Sequence, residues 1–296
     1  KRYDWLTGNV STKGSTAIPA GYLQDREKTP GNAEWQNVLA QNPGVSAFVR
    51  DPQSPAGWRP FSAKGNADVG EGDLYNYQPE NYLITPQQRY NIFSAGHYQL
   101  TDEVRTFFEL AFTNRTSEQK LAPTPLFAMD EGLILSKDNI YNPFGRDFRD
   151  LRRRFVEAKH RTSKQEISTF RVVGGLDGTL PSDWLILNDW SWDLSFNYGV
   201  TQATQTSTGN FILDRIRSAM GPSFRDDKGV AFCGTPGAPV EGCVPLNLLG
   251  GPGTITPEML NYIGFTGISR GLNQQSAIQL NLSGELFQLP WSGPVY

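Results

Sequence analysis

From residue 85 onward, apolar and polar side chains exchange places at every second position. Five segments of about ten to fourteen residues do so, which is the period of a β-strand whose two faces meet unlike surroundings. In residues 89–100 the even row is Tyr90, Ile92, Ser94, Gly96, Tyr98 and Leu100, against Arg89, Asn91, Phe93, Ala95, His97 and Gln99. In residues 104–115, Val104, Thr106, Phe108, Leu110 and Phe112 alternate with Arg105, Phe107, Glu109, Ala111, Thr113 and Arg115. The third segment sets Ser168, Phe170, Val172, Gly174 and Leu176 against Thr169, Arg171, Val173, Gly175 and Asp177. The fourth, "WSWDLSFNYGVTQ", sets Trp190, Trp192, Leu194, Phe196, Tyr198 and Val200 against Ser191, Asp193, Ser195, Asn197, Gly199 and Thr201. The fifth sets Ile278, Leu280, Leu282 and Leu286 against Gln279, Asn281, Ser283 and Glu285.

The connections are unequal in an ordered way. Thr101 and Asp102 alone separate the first two segments, short enough for a tight hairpin. "PSDWLILND" and "PWSGP" follow the third and fifth, whereas long connections, about residues 118–165 and 205–274, follow the second and fourth. Short, long, short, long is the order of a meander whose turns of one kind all lie at one end. A soluble sandwich has no reason to segregate them. At about 3.3 Å per residue, a dozen residues reach roughly 40 Å and, tilted by about 40°, span about 30 Å, enough for the apolar band of an outer-membrane barrel. Strands of soluble proteins are usually about half that long. Trp184, Trp190, Trp192 and Trp291 gather at the short-turn end with Tyr98 nearby, as in an aromatic girdle, although any one of them alone reads as core packing.

These patterns predict an all-β fold: an antiparallel transmembrane β-barrel segment, a partial barrel with long extracellular loops that contain short helices. Residues 85–296 form the barrel part. The even row, with Phe108, Leu110, Phe112, Trp192, Leu194, Phe196, Leu280 and Leu282, is expected to face lipid. Arg105, Glu109, Arg115, Arg171, Asp193 and Glu285 are expected to face a hydrated lumen. Residues 1–84 carry Pro or Gly every few positions, as in "PGNAEWQNVLAQNPG" and "DPQSPAGWRP", and read as loop with at most one early strand near residues 1–6.

The long connections have local order of their own. "NFILDRIRSAMG" places Phe211, Ile212, Arg215 and Ala219 near helical spacing with Gly221 at the stop, and "TPEMLNYIG" has Thr256 as N-cap, Pro257 at the first helical position and Gly264 at the end. Between them, in "FCGTPGAPVEGC", Cys233 and Cys243 are placed to close a short structural disulfide loop in an oxidising compartment. The first long connection holds Arg146, Arg149, Arg152, Arg153, Arg154 and Arg161. The plain reading is a solvated, salt-bridged loop; the functional one is contact with lipopolysaccharide phosphates or an anionic ligand, which a guanidinium fork suits.

Composition narrows the function by exclusion. The chain of 296 residues has 27 basic and 30 acidic side chains, a formal net charge of -3, so no global field favours nucleic acid. Aromatics at 12%, with 30 Gly and 20 Pro, favour strands, turns and ordered loops. No run of 18 apolar residues is present, a test that leaves barrels untouched. His97 and His160 are the only histidines, too little for a metal cluster or a catalytic triad; His97 falls in the polar row as an ordinary hydrogen-bonding residue. "GGPGTI" lacks the Walker Lys and the dinucleotide-binding spacing. No catalytic residue, metal ligand or cofactor is predicted.

Several runs together, "DLYNYQPENYLITPQQRYNIFSAGHYQLTDEVRTFFELAFTNRTSEQKLAPTPL", "NIYNPFG", "AMGPSF", "CGTPG…GCVPLNLLGGPGTITPEMLNYI" and "GELFQLPWSGPV", resemble the barrel portion of TonB-dependent outer-membrane receptors of Gram-negative bacteria. The likeness covers about residues 74–296. It implies, for the whole protein, a plug domain, a barrel of about 22 strands and energy delivered through the TonB complex. The plug and the TonB box are expected outside this chain. The implied function is active import of a scarce nutrient, an iron-siderophore, cobalamin or a saccharide, across the cell outer membrane, with lipid and lipopolysaccharide as surroundings. Competing expectations are a passive porin-like or enzymatic outer-membrane barrel, and a soluble β-sandwich binding module whose even row packs against a second sheet.

Overall fold

The computed structural model describes residues 13–66, 72–180, 190–285, 287–289, 291 and 293–295. The early strand expected near residues 1–6, the whole of "PSDWLILND" with Trp184, and Leu286 lie outside them. In chain order the elements are β1 (Tyr22–Gln24), α1 (Ala33–Gln41), β2 (Ala47–Arg50), β3 (Trp58–Pro60), β4 (Gln87–Gln99), β5 (Val104–Leu121), β6 (Pro125–Phe127), β7 (Asp150–Arg154), β8 (Arg161–Thr179) and β9 (Ser191–Phe211). Then follow α2 (Leu213–Met220), β10 (Ser223–Arg225), β11 (Ala231–Thr235), β12 (Ala238–Pro239), α3 (Pro257–Ile263), β13 (Gly264–Ser283), β14 (Phe287–Leu289) and β15 (Gly293–Val295). The all-β expectation holds: the chain is mostly antiparallel sheet with few helices.

Two compact units divide the chain. The first comprises Lys1–Ile84, Gln119–Ser163 and Ser207–Gly267; the second comprises Thr85–Glu118, Lys164–Thr206 and Ile268–Tyr296.

In the first unit, β3, β2, β1, β7 and β6 form an antiparallel five-stranded sheet. Its period of two separates Leu23, Phe48 and Leu151, which join the main apolar cluster, from Tyr22 and Val49, which pack with Ile18, Phe61 and Tyr75. Both faces are therefore covered. α1 begins where the Asn32 side chain accepts from the Trp35 amide at 3.2 Å, and it buries Trp35 and Val38 on one face. The Trp35 ring meets Phe48, Phe144 and Phe148 edge-on at 5.4, 5.1 and 5.2 Å. Gly31 leaves the room: a Cβ there would lie 2.6 Å from that of Trp35. The segment read from sequence as irregular thus contains a capped helix and three paired strands. At three or four residues per strand, none is long enough to display a period.

Both helices expected in the second long connection are present. α3 has Thr256 as its N-cap, the hydroxyl accepting from Met259 N at 3.4 Å, and Pro257 at its start. α2 buries Ile216, Ala219 and Met220; Phe211, by contrast, ends β9, so the buried face begins later than the spacing predicted. The predicted Cys233–Cys243 disulfide is formed, with Cα atoms 5.7 Å apart. It anchors β11 to the same apolar cluster, since both cysteines are buried there.

The second unit is built on the long strands, in the sheet order β13-β9-β8-β5-β4. Sequence neighbours are sheet neighbours, the order of a meander. All five predicted strands are found, and all but β4 run past the alternating stretch: β5 has 18 residues, β8 19, β9 21 and β13 20. The connections are correspondingly shorter than expected. Of the added stretches, "TSEQK" is polar on both faces, and "GISRGLNQQ" breaks its even row of Ile268 and Leu272 with Arg270 and Gln274, so neither carries a sustained hydrophobic period. Of "PWSGP", Trp291 lies between β14 and β15, which pair as a separate two-stranded sheet, and Gly293 and Pro294 belong to β15 rather than to a strand of the long sheet.

Candidate functional site

The β4–β5 hairpin fixes which side chains share a face. Ile92 lies opposite Phe112, Ser94 opposite Leu110 and Gly96 opposite Phe108, while Ala95 meets Glu109 and Gln99 meets Arg105. Even pairs with even and odd with odd, so the two rows of the sequence become two faces of the sheet. A slip of one residue would exchange them. The loop that sets this register has four residues, 100–103, rather than the expected two. Leu100 N donates to Val104 O at 2.9 Å, and the Thr101 hydroxyl accepts from Val104 N at 3.1 Å.

Aromatic rings fill the glycine positions. The Phe108 ring lies over Gly96, where a Cβ would sit 2.6 Å from its Cε1, and the Phe107 ring lies over Gly175 in the same manner. Covering a strand glycine with a cross-strand ring restores contacts that its missing side chain forfeits. Phe107 belongs to the odd row and Phe108 to the even, so each face has one such pair.

The even row is exposed on every long strand. Tyr90 and Ile92 of β4, Phe108, Leu110 and Phe112 of β5, Phe170 of β8, Leu194 and Phe196 of β9, and Ile278, Leu280 and Leu282 of β13 all stand open, from 39% for Leu110 and Phe112 to 77% for Ile278. Trp192 alone among the expected lipid-facing residues is half-buried. Monomeric soluble proteins rarely expose an apolar patch of more than a few hundred Å²; a row of large side chains across five strands is not the ordinary scatter of surface Leu and Phe.

The odd row carries Phe93, 67% exposed, Phe107 and the buried Val173, but most of its charged side chains are paired. Arg105 grips Asp177 with two nitrogens, Nε at 3.0 Å from Oδ1 and Nη2 on Oδ2. Arg171 Nε donates to Asn197 Oδ1 at 3.0 Å, and its Nη1 stands 3.5 Å from Glu109 Oε2. Asn281 Nδ2 donates to both oxygens of Asp193, at 3.0 and 2.9 Å. Arg105, Glu109, Arg171 and Asp193, singled out from sequence, are thus joined in cross-strand pairs from β5 to β13. Their partners Asp177, Asn197 and Asn281 stand at odd positions of the same alternation, and that parity is the sequence signal that places them on this face. Arg115 sits opposite Arg89 and is half-buried, Glu285 accepts from Trp190 Nε1 through its backbone oxygen at 3.1 Å, and His97 is exposed opposite Phe107.

The arginine cluster of the first unit reads differently in structure. Arg146, Arg153 and Arg154 are buried, not solvated; Arg153 and Arg154 stand on β7, which lies inside its sheet with β1 and β6 on either side. Arg146 donates to Asp25 Oδ1 at 2.7 Å and to Thr29 O at 2.9 Å, with its guanidinium 4.8 Å from the Phe148 ring centre. Arg153 donates to Glu157 Oε1 at 2.8 Å and Gly251 O at 2.6 Å; Arg154 donates to Pro123 O at 2.8 Å. Arg161 donates to Ala122 O at 2.9 Å, and Arg149 is the exposed member. Burial would raise the Asp150 carboxyl, but hydrogen bonds from Arg152 and Arg26 outweigh it and hold the group below the usual carboxylate range. Burial pushes Arg154 down to about 10, which still leaves it charged at neutral pH. These side chains hold distant segments of the chain together instead of being displayed to phosphates.

No group of three or more His, Cys, Asp or Glu that could hold a metal ion occurs among the described residues. No described helix is long and apolar enough to cross a membrane. Comparison of the chain with protein-family models, with curated proteins and with solved structures gives no match.

Proposed function

We propose that this chain is part of a TonB-dependent outer-membrane receptor, an importer of a scarce nutrient, and that the sheet from β4 to β13 is a stretch of its barrel wall. The observation that carries the proposal is the apolar row left open across all five long strands. In lipid such a row is the favoured surface, and strands of 13 to 21 residues exceed the roughly 9–11 that a tilted strand needs to cross the hydrocarbon layer. The paired polar row then faces a hydrated lumen, where Arg105–Asp177 and Arg171–Glu109 balance one another's charge. The role is passage of a ligand, not catalysis.

Two features favour this over a soluble sandwich. A sandwich needs a second sheet over the apolar row, and the other sheet of the second unit is the β14–β15 pair, three residues per strand among the described residues. The edge strands β4 and β13 also have one neighbour each in the sheet; in a bilayer an open edge is costly, and closure by further strands of the receptor would satisfy it. A porin-like or enzymatic barrel would share the wall, and the sequence resemblance favours the receptor.

The test uses the full chain in lipid vesicles with single spin labels at Leu194→Cys and Asp193→Cys. The label at 194 is expected to relax with lipid-soluble oxygen and the label at 193 with a water-soluble nickel chelate. Equal access of both to the chelate would remove the membrane assignment.

A further inference from the structure

In the β4–β5 hairpin Arg89 stands directly opposite Arg115 on the odd face. Side chains so placed have Cβ atoms about 4.5–5.5 Å apart, and like charges there repel one another. A negative group between them would relieve the repulsion, and the described residues do not supply one. Arg115 is half-buried, and its guanidinium has no hydrogen bond or ion pair among them. Arg89 gives Nε to Asn91 Oδ1 at 3.0 Å, which leaves both of its terminal nitrogens without a described partner.

The other odd-row arginines of the second unit are matched with carboxylates, Arg105 with Asp177 and Arg171 with Glu109. β4 contains no acidic residue. On the odd row of β5 the one carboxylate is Glu109, which lies roughly 20 Å along the strand from Arg115 at the usual rise per residue. The flanking pairs of the ladder, Gln87 with Ser117 and Asn91 with Thr113, are uncharged. Thr113 Oγ1 donates to Asn91 Oδ1 at 3.0 Å, as Arg89 Nε does, so the Asn91 amide nitrogen is left as a further donor. Two positive charges thus share a polar patch that holds no described carboxylate.

We propose that Arg89 and Arg115 clasp a phosphate group, as inorganic phosphate or a phosphate monoester. Each guanidinium offers a planar fork of N–H donors that fits phosphate oxygens, and the two forks come from adjacent strands whose register fixes their separation. Two positive charges call for two negative ones. Phosphate carries nearly two at neutral pH, its second pKa being about 6, whereas a single carboxylate carries one. The site is read from the register of one hairpin, so binding is independent of the membrane assignment. In the receptor proposed above the odd face lines the passage, and the pair would meet a phosphate-bearing cargo; that step alone rests on the receptor reading.

The full chain, in a phosphate-free detergent, is titrated separately with inorganic phosphate and with glycerol phosphate, and binding is followed by phosphorus NMR. Saturation by either supports the site, and the tighter of the two names the source of the group. Arg89→Gln and Arg115→Gln are each expected to weaken binding about tenfold, the scale of one charge-assisted contact, and Arg105→Gln to leave it unchanged. Neither Arg89→Gln nor Arg115→Gln is expected to lower stability in urea, since each removes a like-charge contact. Lowering the pH from about 7.5 to about 5.5 takes phosphate towards its singly charged form and is expected to weaken it, while sulfate, doubly charged throughout, competes equally at both. Failure of both probes to saturate, binding indifferent to the two folded variants, or an equal loss in Arg105→Gln would each overturn the proposal.

Discussion

The sheet of β3, β2, β1, β7 and β6 and the sheet of β13, β9, β8, β5 and β4 have the same number of strands. In the first, strands of three to five residues are covered on both faces, and even guanidiniums are drawn inside among aromatic rings. In the second, strands of 13 to 21 residues leave their largest apolar side chains open. The contrast shows that strand pairing alone does not define an inside. In the short sheet burial supplies the stability, whereas the long sheet has backbone pairing and cross-strand rings over Gly96 and Gly175.

The largest effect that would break this contrast is loss of the first unit's core. Trp35→Ala removes a fully buried ring from among three phenylalanines and is expected to cost about 3–5 kcal/mol, measured by urea unfolding. A cost under about 1 kcal/mol would mean that the cluster is not a packed core. Leu194→Arg probes the other sheet. In vesicles it is expected to cost about 2–4 kcal/mol near mid-bilayer, and in detergent-free buffer, with Leu194 already 41% exposed, within about 0.5 kcal/mol. Equal, small costs in both media would leave the apolar row without a lipid role. Smaller again is the double variant Cys233→Ser, Cys243→Ser, expected to lose about 2–3 kcal/mol from the first unit. Amide exchange should quicken in β10 and β11 and stay unchanged in the β4–β5 hairpin; equal quickening in both would show the two units to be energetically one.

Legibility from sequence followed the same divide. The centres of the long strands were readable because one row is apolar and the other is not, and parity alone placed Phe108 with Leu110 and Arg105 with Glu109. Their ends were not, since "TSEQK" offers the same polarity to both faces. α3 could be read from Thr256 and Pro257, which act on their own neighbours. β1, β2 and β3 could not, because three or four residues hold no period and their partners are far along the chain. The same remoteness explains the arginines. Arg146 looks like a loop charge until Asp25, 121 positions earlier, is brought to it.

That remoteness also orders events as the chain folds. The first unit is assembled from three stretches with long-sheet strands between them, and its ties bridge great lengths: Arg26 to Asp150 over 124 positions, Arg154 to Ala17 over 137. Contacts so distant are slow to find, because closure entropy is lost before they reward it. The β4–β5 hairpin closes across four residues, on a scale of about microseconds. The greasy hairpin therefore exists early, while the segment that carries Trp35 and Asp25 still waits for residues 144–154 to arrive. A nascent chain of this design exposes an apolar hairpin before the core of its first unit is complete.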